Sequence, residues 1–211
     1  MTCLRSFRLL AFPLAILFAI QAGCARYSPD RDIKIGSKNF RKQGEVEGIA
    51  RVLDREQIKK ALDYEVEAKR LVAVSAVIRN RGENTLRLDY LRTRIVDGNL
   101  SYGLVPVEVV ILRTQRTGFW KAQLWMRTGG LFGYLYHKHQ INKTNNQLRE
   151  DFEWQALPDK PIIPNATLRG MLFFQIDPAS ARNFVPGRYN VVISLVSTGN
   201  PPIVELRFPP E

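Results

Sequence analysis

RLVAVSAVIR, residues 70–79, is the run from which the fold can be read. Val, Leu and Ile occupy both alternating positions over much of its length. That pattern predicts a central strand buried on two faces. The cluster Asn80-Arg81-Gly82-Glu83-Asn84 reads as the turn that closes it. Upstream, residues 44–53 (GEVEGIARVL) form a weaker strand candidate. Asp54 then has the chemistry of an N-cap, with Gln57 at the capping-box position. Ile58, Ala61 and Leu62 follow at helical spacing, which predicts a short helix over 55–64.

Downstream, residues 85–96 (TLRLDYLRTRIV) alternate until Leu91 breaks the phase. Asp97-Gly98 is a two-residue hairpin signal leading into a return strand over 99–104, because Gly tolerates positive φ. Pro106 ends that strand. Near the C-terminus, residues 162–165 (IIPN) introduce an apolar strand over 167–176 (TLRGMLFFQI). Pro186-Gly187 is a turn, and residues 188–196 and 203–208 flank a longer loop as a further hairpin. About seven short strands separated by turn signals predict a β-sandwich.

The stretch between the two β halves follows a different pattern. Phe119, Trp120, Leu124 and Met126 fit one helical face, with Trp125 at its edge. Leu148, Phe152 and Ala156 recur at four-residue spacing. Residues 113–157 therefore read as a helical insertion. Two roles compete for it. The aromatic residues either cover an open face of the sandwich or form a flap that contacts a membrane or ligand. Trp120, Trp125, Tyr134 and Tyr136, mixed with Arg113, Arg116, Lys121 and Arg127, have the amphipathic chemistry favoured at lipid interfaces.

The N-terminus carries an export pattern. Arg5 and Arg8 precede the twelve-residue apolar run LLAFPLAILFAI (9–20), followed by the small residues Ala22 and Gly23. Twelve helical residues rise about 18 Å, short of a hydrocarbon core of about 30 Å, so a cleaved signal fits better than a permanent span. Ala22-Gly23-Cys24 resembles the lipobox of bacterial lipoproteins, in which a small pair precedes the acylated cysteine. Gln21 departs from the aliphatic residue usual there, and ordinary cleavage after Ala25 is the alternative. The resemblance implies lipid attachment at Cys24, and Ala25 in place of Asp implies outer-membrane sorting. Cys3 leaves with the signal, so Cys24 is the one cysteine of the mature chain, about 188 residues long.

The formal charge is +11, and +9 without Arg5 and Arg8. Residues 24–43 read as the acylated Cys followed by a basic tether. Its Lys and Arg side chains either lie near anionic head groups or form a plain solvated linker. An exported location disfavours nucleic acid as a partner despite the basic composition. A second resemblance rests on residues 72–80, Asp97-Gly98, Ile163-Pro164 and residues 170–174. These look like uncharacterised bacterial lipoproteins with immunoglobulin-like domains. The resemblance implies a mainly β, immunoglobulin-like antiparallel sandwich over 44–211, with a short N-terminal helix and a helical insertion, preceded by a signal peptide over 1–23. It implies no catalytic residues.

Chemistry is sparse. His137 and His139 would share a face if they lay on a strand, but no carboxylate lies within ten residues before them, so no metal site is expected. The nucleophile elbow, the H-E-x-x-H pair and the Walker loop are all missing from the sequence. Glu150, Asp151 and Glu153 read as a solvated acidic cluster. The expectation is a non-enzymatic, cofactor-free protein of the bacterial cell envelope, of interaction or structural type, held to a membrane by its anchor, with another envelope protein as a candidate partner. A module that binds anionic lipid head groups or acidic polysaccharide is the alternative. Metabolic palmitate labelling tests the anchor: wild type takes up label and Cys24→Ala takes up none, whereas equal labelling contradicts the lipobox reading.

Overall fold

The structure, a computed structural model, describes residues 40–62, 64, 66–115 and 119–210, with the side chains of all of these except 67, 68, 119–133 and 137. In chain order the strands are β1 (Arg41–Gln43), β2 (Val46–Val52), β3 (Leu71–Asn80), β4 (Leu86–Leu88), β5 (Arg94–Asp97), β6 (Leu100–Val105), β7 (Thr167–Gln175), β8 (Asn190–Ser197) and β9 (Ile203–Phe208). The helices are α1 (Arg55–Leu62), α2 (Val107–Thr114), α3 (Phe119–Gln155) and α4 (Pro178–Arg182). The lipid-attachment reading of Cys24 falls outside the described residues.

β3 is the spine. It pairs antiparallel along its length with β2 on one side and β7 on the other. Val72, Val74, Ala76 and Ile78 point to one face and Leu71 and Ala73 to the other, and all six are buried. The expected two-sided burial is thus present over the first half of the strand. It gives way to one-sided burial where Val77 and Arg79 become partly exposed.

The expected immunoglobulin-like sandwich is not formed. All nine strands belong to one antiparallel sheet in the order β1-β2-β3-β7-β6-β5-β8, with β4 beside β5 on one edge of β8 and β9 on its other edge. A sandwich needs two separate layers, and β6 joins what would have been those layers. Its residues Leu100–Gly103 pair with β5, while Leu104 and Val105 pair with Phe174 and Phe173 of β7. The sheet therefore curls into a half-barrel. Its concave face gathers one core from β2 through β9, including Val46, Ile95, Phe174, Ile193 and Leu206.

Local chemistry explains two further departures. The run 85–96 is two strands because Asp89 interrupts it: the Asp89 carboxylate accepts from the backbone N–H groups of Leu91 (3.0 Å) and Arg92 (3.2 Å). Thr93 is then buried and exchanges hydrogen bonds with Ser194. The β5–β6 turn is Gly98-Asn99, with Asp97 opposite Leu100, and Gly98 takes the positive φ of 57°.

A helical layer covers the convex face of β3 and β7. α1 begins with the reciprocal capping box: Gln57 N donates to Asp54 Oδ1 at 2.8 Å, and Asp54 N to Gln57 Oε1 at 3.1 Å. Its Ile58, Ala61 and Leu62 meet Val110 and Ile111 of α2 and Leu148 and Phe152 of α3 in a second core. Residues 156–166 return from α3 and run beside the sheet. Leu157 N donates to Met171 O, and Ile162 bridges to Leu86. Asn80, 1% exposed, fastens this segment. Its Nδ2 donates to Asn84 O (2.7 Å) and Ile162 O (2.9 Å), and its Oδ1 accepts from Gly82 N (3.0 Å). Removing three hydrogen bonds at once, two of them buried, is costly. Asn80→Ala is expected to lose roughly 2–3 kcal/mol of stability by urea unfolding. A change within about 0.5 kcal/mol, the range of an ordinary surface substitution, contradicts the clamp.

Candidate functional site

Two features stand apart from the packed core, and both arise from the chain between β6 and β7. The first is α3. It has 37 residues, which gives a length of about 55 Å. Among its described side chains, the buried ones lie at its C-terminal end. Leu148, Phe152 and Ala156 share one face and are buried in the convex core. The Phe152 ring lies 5.5 Å from Phe173 and 6.5 Å from Tyr64 between centroids. Among the described side chains of 134–147, by contrast, none is fully buried. Leu135 is 50% and Tyr136 62% exposed.

Composition along α3 changes with distance from the domain. Residues 119–136 are rich in aromatic and aliphatic types, residues 137–147 are polar, and the base is amphipathic. From 119 to 149 there are five Lys or Arg and no Asp or Glu. The apolar and polar zones follow one another along the axis. The helix is therefore an arm with a seated base, a polar neck and a far end of apolar type.

The candidate contact residues divide accordingly. Arg113 is exposed in the last turn of α2. Tyr134 is half-buried and Tyr136 exposed, both on α3. Trp120, Lys121, Trp125 and Arg127 lie on the backbone of α3, with their side chains outside the described set, and Arg116 lies outside the described residues altogether. Trp154, 73% exposed near the base of the arm, was not singled out from the sequence. Its neighbours Phe152 and Gln155 are buried, so exposure here depends on how the helix is docked. His137 and His139 sit on this helix, where two-residue spacing does not share a face. Among the described residues no group of three or more His, Cys, Asp or Glu side chains comes together.

The second feature is a cleft of about 390 Å³ at the root of the insertion. Pro106, where the chain leaves β6, and Pro158, where it returns, stand on its wall. Its floor is apolar, with Val105 from β6, Met171 and Phe173 from β7, and Ala156. Its rim carries Glu108, Glu153 and Asp159, and among the described residues no Lys, Arg or His lines it. Glu153 accepts from Arg149 Nε at 2.8 Å, and Asp159 lies 3.9 Å from Arg87. Glu108 makes no hydrogen bond or ion pair among the described residues. Burial pushes the Tyr90 hydroxyl up from its ordinary value, and the charges of Asp159 and Glu108 add to the effect. Backbone crowding shapes the floor. A Cβ at Gly170 would stand 2.5 Å from the backbone of Leu157, so only glycine lets the returning chain lie this close to β7.

A polar group also links the β5–β6 hairpin to α4 and Arg188. Asp97 is buried, and its Oδ1 accepts from Arg188 Nε at 2.6 Å. The Tyr102 hydroxyl bonds the Asp177 carboxylate and lies 2.9 Å from Ser180 Oγ. Asp177 also accepts from the N–H groups of Ala179 and Ser180, capping α4. These bonds, led by the one from Tyr102, hold the Asp177 carboxyl well below the usual carboxylate range. Tyr102, Asp177 and Ser180 bond one another, which suits a pin between the β5–β6 hairpin and α4.

Comparison with models of protein families, with curated proteins and with solved structures finds no match.

Beside the pin, Tyr189 is buried against the stacked ring of Phe184, 5.7 Å away. Burial, assisted by the charge of Asp97, pushes its hydroxyl up to about 12. The folded chain therefore keeps this proton after the unfolded chain, titrating near 10, has lost it. Stability from this group is complete below pH 10 and is lost as pH rises towards 12. In urea titrations across that window, Tyr189→Phe is expected to lose stability less steeply than wild type. Parallel slopes contradict the assignment.

Proposed function

We propose that the protein is a non-enzymatic, lipid-anchored component of the bacterial cell envelope, of interaction type, and that the arm of α3 is its contact element. The observation that carries this reading is the contrast within α3. Its base is locked into the core by Leu148, Phe152 and Ala156, while the described side chains of 134–147 are exposed or only half-buried. A long helix held at one end presents the chemistry of its free length to something other than its own domain. The lipobox resemblance at Cys24 supplies the location, and Ala25 favours an outer membrane. Tyr102, Asp177 and Ser180 bond one another, which suits a structural role better than catalysis.

The charge of the arm supports a second reading, a module for anionic envelope ligands. Five cations without a carboxylate between 119 and 149 favour lipid head groups or acidic polysaccharide. Two measurements separate the readings. A photo-crosslinker at position 136 in the native envelope is expected to yield one defined protein adduct, and a crosslinker at the still more exposed position 91 none. Matching adducts at both positions, or none at 136, contradict the protein-contact reading. For the second reading, co-sedimentation of the full chain with phosphatidylglycerol vesicles is expected to weaken on going from about 0.05 to 0.5 M salt. It is also expected to fall about tenfold in K138E/K143E, the loss of two juxtamembrane cations becoming two anions. Binding that is indifferent to salt and to these substitutions excludes it.

A further inference from the structure

We propose that the cleft at the root of the insertion binds a small amphiphilic cation, an apolar body that carries a primary ammonium or guanidinium group. The site is separate from the arm and does not depend on its role. Four observations converge on this chemistry. The volume, about 390 Å³, is in the range of small-ligand sites. The floor is apolar and rests on paired strands: Val105 is in register with Phe173, and Met171 is held by Leu157. Such a floor receives an apolar group without rearranging. The rim carboxylates come from three places, Glu108 on α2, Glu153 on α3 and Asp159 on the returning chain. They converge although the protein as a whole carries a charge of +11.

Charge complementarity selects the occupant. Glu108 makes no hydrogen bond or ion pair among the described residues and feels Arg149 only through its charge, and Asp159 has the exposed Arg87 at 3.9 Å. A ligand cation seated over the floor would meet Glu108 and Asp159 on the side where Tyr90 stands. A neutral apolar molecule gains the floor alone. An anion of the same shape meets three like charges. Free amines and basic residues of a peptide present the same head group, and a small-molecule probe reads the shared chemistry.

Isothermal titration of the full chain with three indole ligands of matched shape is the test. These are tryptamine (cation), 3-methylindole (neutral) and indole-3-propionate (anion). Tryptamine is expected to bind at least about tenfold more tightly than the other two, and more weakly as salt rises. The preference is expected to collapse in E108Q/E153Q/D159N and to persist in E56Q/E83Q, whose carboxylates lie outside the cleft. E108Q alone breaks no ion pair among the described residues and is expected to reduce the preference severalfold. It keeps the proposal testable if the triple variant does not fold. Equal binding of the three ligands overturns the proposal. So does no tryptamine binding at millimolar concentration, or a preference unchanged in E108Q.

Discussion

The structure depends on the need to cover β3 on both faces. Val72, Val74, Ala76 and Ile78 on one side, and Leu71 and Ala73 on the other, are all buried. A strand with two apolar faces cannot stand at the surface of a sheet that has one wet side. The concave face is satisfied by curling the sheet so that β8 and β9 come round above β3. The convex face is satisfied by α1, α2 and the base of α3. Neighbouring β7 obeys the same constraint, with Leu172 and Phe174 facing inwards and Met171 and Phe173 facing the helices.

Covering the convex face brings the insertion into being as a structural necessity and also limits it. With α1, α2 and the last turns of α3 form the second core. The described side chains of α3 between 134 and 147 lie outside that core. The return of the chain is just as constrained. Leu157 must approach β7 closely enough to donate to Met171 O, and Gly170 makes room for it. Asn80 then secures the next turn through Ile162. The cleft is the space left where departing and returning segments diverge from the sheet.

The charge distribution follows the same division. The arm is cationic as far as Arg149, and the acidic residues begin at Glu150, where the helix meets the domain. Arg149 and Glu153 pair across that boundary. An acidic root beneath a basic arm keeps the two candidate surfaces chemically distinct, so each selects a different partner charge.

Several elements were legible in the sequence because their signals are local. The capping box at Asp54 and Gln57 is a matter of residues three apart. The docked face of α3 is visible as Leu148, Phe152 and Ala156 at one spacing, and the two-sided burial of β3 is visible in its composition. The split at Asp89 was marked only by the broken phase at Leu91. The cleft had no linear signature, since Tyr90, Glu108, Glu153 and Asp159 come from distant parts of the chain. Pro106 and Pro158, which bracket the insertion, were its nearest signal. By itself the sequence determined the main strands, the short helix after Asp54 and the docked face of α3, while β1, α2 and α4 were not marked in it. The tertiary structure alone decided that those strands form one curled sheet instead of two layers. Period-two alternation states that a face is covered without stating by what, and the pairing of Leu104 and Val105 with Phe174 and Phe173 spans about seventy residues of chain.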